Sequence, residues 1–411
     1  MAATRPLPPA WLMGFGFLPL GLNGAILLIT VPQLLAANHV PEPQIASITA
    51  IGLFPSFGCF LLGPLLDWRY SRKAYSISLT ILGALCAFGA LISINNLPLL
   101  TALLFMANLA ISMVVAAVGG WFGNLTETSQ KGALGAWLNV ANGVGFGVAA
   151  AVAIGLLRGL PYGLGAGILS GLILLALPLY WIVPCPPADS RLASESIRDF
   201  TRDVLALLKR PSVLWTLLLF LLPAASFALT NTLGGMGHDF HTSESLVGLL
   251  GGAGASGAGV VGSLLIPRIE KFVAPRPLYL SVGIVGALFT LGLVALPHNP
   301  ATFGAAMLAE NFFQGAAFSV QNVIILRTIG HNNPLAATQF GLLTAAVSLP
   351  LDYMQVVDGN AYALFGGVNG SYLADALVSG VFCLILGLVI WLFRARIART
   401  DSLAEGVAEP V

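Results

Sequence analysis

The chain has 411 residues with only 18 Lys and Arg and 17 Asp and Glu, so 9% is charged where soluble domains average about 25%. With 57% hydrophobic residues and a mean hydropathy of +0.89, there is more apolar surface than one aqueous core can hide, which excludes a water-soluble protein. A net charge of +1 supplies no field for nucleic acid. A hydrocarbon core about 30 Å thick needs about 20 apolar residues of helix. Twelve such stretches follow in chain order: 11–37, 44–66, 74–94, 97–122, 131–157, 163–183, 212–235, 246–266, 277–297, 300–327, 335–357 and 374–396. The first is too long for a secretory signal, lacks a small-residue cleavage pattern and is followed at once by a second span, so it is expected to stay in the chain.

Between spans six and seven runs the one long polar segment, where Glu195, Arg198, Asp199, Arg202 and Asp203 fall at the spacing of a surface helix. The expected architecture is an all-α membrane protein of twelve transmembrane helices. An N-terminal six-helix bundle, 1–183, and a C-terminal one, 212–411, are joined by a connector at 184–211. If both termini are cytoplasmic, 17 of the 18 basic residues fall on the cytoplasmic side, and only Arg158 falls outside. One span missed or invented would swap every later loop, so this asymmetry supports the count and the direction together. Cys59, Cys86, Cys185 and Cys383 are scattered, with neither CxxC nor metal-ligand spacing, and read as packing thiols.

Span ten carries Glu310, Asn311, Gln314, Gln321 and Asn322. At about 100° per residue, Glu310, Gln314 and Gln321 share one face, with Asn311 and Asn322 on its flank. Glu310 reads as the one carboxylate well inside the hydrocarbon zone, where an ionised side chain costs on the order of 3 kcal/mol or more unless paired or hydrated. It is therefore expected to face a cavity and to exchange a proton there, which makes it the proton-coupling residue. The alternative is a permanently neutral Glu bonded to a neighbouring helix. Asn311, Gln314, Gln321 and Gln339 are the expected solute contacts, with Asn23, Asn108, Asn139 and Asn142 as further polar residues of a central cavity. Each of these also fits a plain interhelical hydrogen bond. Asp352, beside Pro350 near the outer end of span eleven, reads either as a second titrating group or, more commonly for such a residue, as a mark of the outer interface. Gly248, Gly252 and Ser256 have the small-residue spacing of a close helix contact.

The loop Gly63-Pro64-Leu65-Leu66-Asp67-Trp68-Arg69-Tyr70-Ser71-Arg72-Lys73 resembles the GxLaDrxGRR/K loop of the major facilitator superfamily, with one extra residue before the last basic pair. A carboxylate there can pair with the basic cluster or cap a neighbouring helix, so Asp67, Arg69, Arg72 and Lys73 are the expected gate latch, the alternative being a charged turn that obeys the positive-inside rule. The matching place in the second half, Gly262 to Arg268, keeps the glycine and the base but not the acid. Within the superfamily the chain resembles the AmpG-like peptidoglycan and acetyl-CoA transporter group, on Gly14 to Leu20, Gly63 to Asp67, Glu310-Asn311 with Gly315, and Ala337-Thr338-Gln339-Phe340-Gly341-Leu342-Leu343. It departs from that group at Cys59, where members often carry Lys, and at Ser112-Met113-Val114-Val115, where members carry acids.

The resemblance implies secondary active transport of a polar organic solute across a bacterial inner membrane by alternating access, coupled to protons. Its partners would be the solute, protons and the lipid bilayer, with the chain a monomer and both termini cytoplasmic. An uncoupled facilitator, or a drug or siderophore permease of the same fold, is the alternative. No cofactor or metal is expected. An enzyme is disfavoured, since no P-loop, HExxH, GxSxG or paired deep carboxylates appear in the sequence.

Overall fold

The computed structural model describes residues 7–68, 70–185, 197–331 and 333–394; Arg69 of the expected latch lies outside the described residues. The described chain is helical throughout, and ten helices are long and apolar enough to cross a membrane. They are α1 (Ala10–Ala37), α2 (Pro43–Leu66), α3 (Arg72–Ile92), α4 (Leu97–Leu125), α5 (Thr128–Gly159) and α6 (Tyr162–Ile182) in the first half. In the second half, α7 (Pro211–Leu221) is shorter, and α8 (Glu244–Ile269) and α9 (Pro275–Leu293) follow. The polar α10 (Pro300–Ile329) precedes α11 (Ala336–Leu364) and α12 (Val368–Leu392). Counting α7 with its continuation, and α10, the helices number twelve, and part of the connector forms a further helix, Ile197–Leu208.

The helix starts follow from local chemistry. Ser71 accepts from the Ala74 N–H at 3.2 Å, Asn96 from Leu99 at 3.3 Å, and Asn299 from Ala301 and Thr302 at 2.9 and 3.0 Å. Each side-chain oxygen satisfies amides that the first turn leaves without partners. Prolines open α2, α4, α7, α9 and α10, where a missing N–H costs nothing.

The seventh helix is broken, where one continuous span over 212–235 was expected. After Leu221 the chain turns extended before Pro223 and resumes as short helical turns at Leu229–Thr232 and Leu233–Phe240. Pro223 lacks a donor and disfavours helix at Leu222. Ala225 and Phe227 then adopt left-handed φ of 55° and 51°, a conformation costing about 1–3 kcal/mol per residue. Packing holds them there: their side chains fill the space that a Cβ on Gly283 or Gly286 of α9 would need.

The chain sorts into two compact units. One gathers Met1–Glu127, Ala141–Leu208 and Ile329–Ala345; the other gathers Thr128–Val140, Lys209–Thr328 and Ala346–Val411. The start of α11 thus belongs with first-half helices, and the start of α5 with second-half ones. The interior of the first unit is lined by small and aliphatic side chains, such as Ala25, Ala87, Ala107 and Ala153, whereas that of the second adds Phe240, Phe303 and Tyr372. Leu85, Leu175, Trp181, Leu288 and Leu384 stand exposed on the helix faces, as an apolar solvent permits. Cys59 and Cys383 are buried, but Cys185 is exposed at the end of α6, so it is not a packing thiol.

Candidate functional site

Glu310, on α10, is fully buried, and one of its oxygens accepts the Thr290 hydroxyl of α9. Its other oxygen has no hydrogen-bond partner. It is not the one deep carboxylate. Asp358 of α11 and Asp375 of α12, 0% and 3% exposed, lie close enough that Asp375 and Glu310 act electrostatically on Asp358, and Asp375 on Glu310. Both oxygens of Asp358 and one of Asp375 lack partners, as does the hydroxyl of buried Tyr372, which feels the Glu310 charge.

Sequence reading missed these acids because it ended spans on hydropathy. It closed span eleven at 357 and opened span twelve at 374, leaving Asp358 in a loop and Asp375 at a margin. The helices continue because nothing breaks them before Gly366 and Gly367, whose φ values of 80° and 92° suit glycine and end α11. That Gly-Gly pair was the available signal. Asp352 likewise lies within α11 and not at its outer end.

The other expected contacts are placed as follows. Gln314 donates to the Thr230 hydroxyl at 2.6 Å and to the Phe227 carbonyl at 3.4 Å, which ties α10 to the broken seventh helix. Gln321 donates to the Tyr279 hydroxyl at 3.1 Å. Tyr279 is 11 residues before Thr290 on α9, about 16 Å along the axis, so Gln321 shares the face of Glu310 but not its level. Asn311 donates to Met307 of its own helix at 2.8 Å. Asn23 donates to Asn108 at 3.3 Å, and Asn108 donates to Gly52 and Ser56 at 2.9 Å, a buried knot joining α1, α2 and α4. Asn139 donates to Ser263 at 2.8 Å and to the Gly315 carbonyl at 3.1 Å. Asn142 is half-buried, its backbone carbonyl against Gly21. Gln339 accepts from Asn333 at 2.7 Å. Most of these amides therefore have hydrogen-bond partners on neighbouring helices or loops, and the structure does not gather them around Glu310.

Asp67 both pairs and caps. It holds Arg72 at 2.7 Å and accepts from the Ala337 and Thr338 amides at 3.2 and 2.7 Å and from the Thr338 hydroxyl at 2.7 Å. A carboxylate at the start of α11 also suits the positive end of that helix dipole. Arg72 in turn donates to the carbonyls of Asn333 and Pro334 at 3.2 and 2.7 Å, and Asn124 holds Asn333 from α4. Lys73 points elsewhere, to the carbonyls of Trp181 and Val183 at the end of α6. The close fit requires Gly120, since a Cβ there would meet the Ala337 backbone at 2.4 Å.

The second half does carry an acid at the matching place, contrary to expectation. It is Glu270, just past α8 and beyond the motif window that ended at Arg268. Glu270 pairs with Arg327 and lies over Gly132, in the second turn of α5. Burial raises its proton affinity, an effect that the Arg327 charge partly offsets. Beside the pair opens a recess of about 590 Å³ lined by Trp137, Arg268 and Lys271 among others. Thus an acid after α2 meets the start of α11, and an acid after α8 meets the start of α5, the relation expected of two repeats.

The Major Facilitator Superfamily profile matches residues 13–351, and the chain belongs to that superfamily. Among solved structures, it is similar to the proton:xylose symporter XylE bound to 6-bromo-6-deoxy-D-glucose, at 14% identity, covering 93% of this chain and 94% of that one, with a TM-score of 0.69. It is similar to the E. coli fucose:proton symporter FucP, at 17% identity, 92% and 97% coverage and a TM-score of 0.70. The human organic anion transporter MFSD10 matches at 16% identity, 92% and 98% coverage and a TM-score of 0.69. At these identities the likeness is one of fold. No curated protein matches the chain in sequence.

Proposed function

We propose that the chain is a proton-coupled secondary transporter of a polar organic solute, working by alternating access in a bacterial inner membrane with both termini cytoplasmic. The observation that carries the proton coupling is Glu310, fully buried among helices, hydrogen-bonded through one oxygen only and with no cation among the groups that act on it. An ionised carboxylate so placed costs several kcal/mol, so its charge must come and go with hydration. Two of the proteins with similar structures, XylE and FucP, are proton symporters, which suits this reading. The AmpG-like resemblance adds a cell-wall fragment as the first solute class to try. Asp67 and Arg72 are the proposed latch: they clasp the start of α11, and releasing it breaks one compact set of bonds.

The test begins with a thermal-shift screen of purified protein against cell-wall fragments, siderophores, sugars and drug-like amines. A stabilising compound is then offered, labelled, to proteoliposomes with and without an imposed pH gradient. Accumulation above equilibrium is expected only with the gradient, and Glu310→Gln is expected to abolish it while leaving exchange of solute across the membrane. Equal uptake without a gradient would establish an uncoupled facilitator. Accumulation that survives Glu310→Gln would remove Glu310 from the coupling.

A further inference from the structure

The acidic cluster of α10, α11 and α12 goes beyond a single coupling residue. Glu310, Asp358 and Asp375 come from three successive helices, each at most 3% exposed, and four of their oxygens have no hydrogen-bond partner. The groups around them are Thr290 from α9, bonded to Glu310, and Tyr372 from α12, a residue 1% exposed whose buried hydroxyl has no hydrogen-bond partner and which feels the Glu310 charge. Among the described residues no Lys, Arg or His is found among the groups whose charge acts on the three acids. A static structural cluster would satisfy such oxygens, because a buried polar atom without a partner costs about 1–3 kcal/mol and more if charged.

We propose that Asp358 and Asp375 complete the Glu310 site as one shared proton store, which holds several exchangeable protons and releases them one at a time. The inference rests on the reading of Glu310 as the coupling acid. When one acid gives its proton to water, forming hydronium, the O–H electron pair stays on its carboxylate. A neighbouring acid then turns its own O–H to that carboxylate, so the single charge is held by a donor and not left bare. A second ionisation would set two like charges close enough to act on each other and is resisted. Tyr372 supplies a further donor for whichever carboxylate is charged.

The position of the site sets its route. Glu310 lies ten residues from the start of α10, Asp358 six from the end of α11 and Asp375 seven from the start of α12, so each is about 9–15 Å from the same end of the helices. This is the end opposite to Arg268 and Arg327. Protons would enter from that side.

The experiment is infrared difference spectroscopy of the purified, solute-free chain through a pH titration in H2O and D2O, with the proton itself as the probe. The carbonyl band of protonated carboxylic acid is followed in the parent and in Asp358→Asn, Asp375→Asn, Asp375→Glu and Glu310→Gln. The parent is expected to lose this band in separated steps. In Asp375→Asn the Glu310 step is expected to move by about one pH unit or more, since a like charge has gone, and Asp375→Glu should restore the parent profile. Glu310→Gln should still lose acid bands from the two aspartates. A Glu310 step unmoved by either asparagine variant would overturn the shared store while leaving Glu310 as a coupling acid. Loss of the acid bands when sodium chloride replaces choline chloride would also overturn it, in favour of a metal-cation site. Gradient-driven accumulation surviving Glu310→Gln would count against the coupling reading alone, so the two failures are separable.

Discussion

Asp67 places both carboxylate oxygens on one short stretch of chain: Arg72 and the Ala337 amide share one, and Thr338 donates twice to the other. Asp67→Asn keeps an acceptor but leaves Arg72 as a buried cation without its counter-charge, a loss of about 3 kcal/mol or more. The apparent unfolding temperature in detergent should fall for Asp67→Asn and for Arg72→Ala. The double variant should lose less than the sum, because the two residues act as one joint. Glu270 makes a prediction of opposite pH sense to an ordinary surface carboxylate. Burial raises its proton affinity more than Arg327 lowers it, so its contribution to stability is complete at acid pH and declines as pH rises through the raised value. Relative to the parent, Glu270→Gln should therefore gain in unfolding temperature as pH rises from about 4 towards 7, and a difference independent of pH would refute the assignment.

At the scale of elements, the close helix contact in the second half is made by different glycines from those that spacing suggested. Gly248 and Gly252 have open space where a Cβ would stand, whereas a Cβ on Gly262 would sit 2.0 Å from the Phe312 carbonyl and one on Gly315 2.1 Å from that of Gly259. Helices α8 and α10 cross there backbone to backbone. Gly262→Ala and Gly315→Ala are expected to cost about 1–3 kcal/mol by forcing the helices apart. Gly248→Ala and Gly257→Ala should be neutral or stabilise by up to about 1 kcal/mol, since alanine favours helix and meets nothing. Thermal unfolding of the four variants separates the two classes. Equal losses in all four would mean that the crossing is not where the structure puts it.

For the whole molecule, the orientation has a direct check in a native residue. Cys185 is exposed, at the end of α6 that Lys73 caps, while Cys59 and Cys383 are buried. With the basic loops cytoplasmic, a membrane-impermeant maleimide should label Cys185 in inside-out vesicles and spare it in right-side-out ones. The reverse pattern would invert the orientation and with it the proposed side of proton entry.

The membrane class and the twelve helices were legible because each depends on a sum over many residues, and lipid allows no other use for so much apolar helix. The Asp67 loop and Glu310 were legible because each breaks an otherwise apolar pattern. The partners of these residues were not. Asp358 and Asp375 sit where polar residues dilute the hydropathy, so only the folded helices show that three acids from three segments converge. Glu270 lay beyond the motif window and is placed against α5 only by packing. Spacing along one helix tells which residues share a face. Which faces meet, at what depth, and whether an asparagine such as Asn108 is left free or bonded to a neighbouring helix, depend on contacts between distant segments that only the tertiary structure creates.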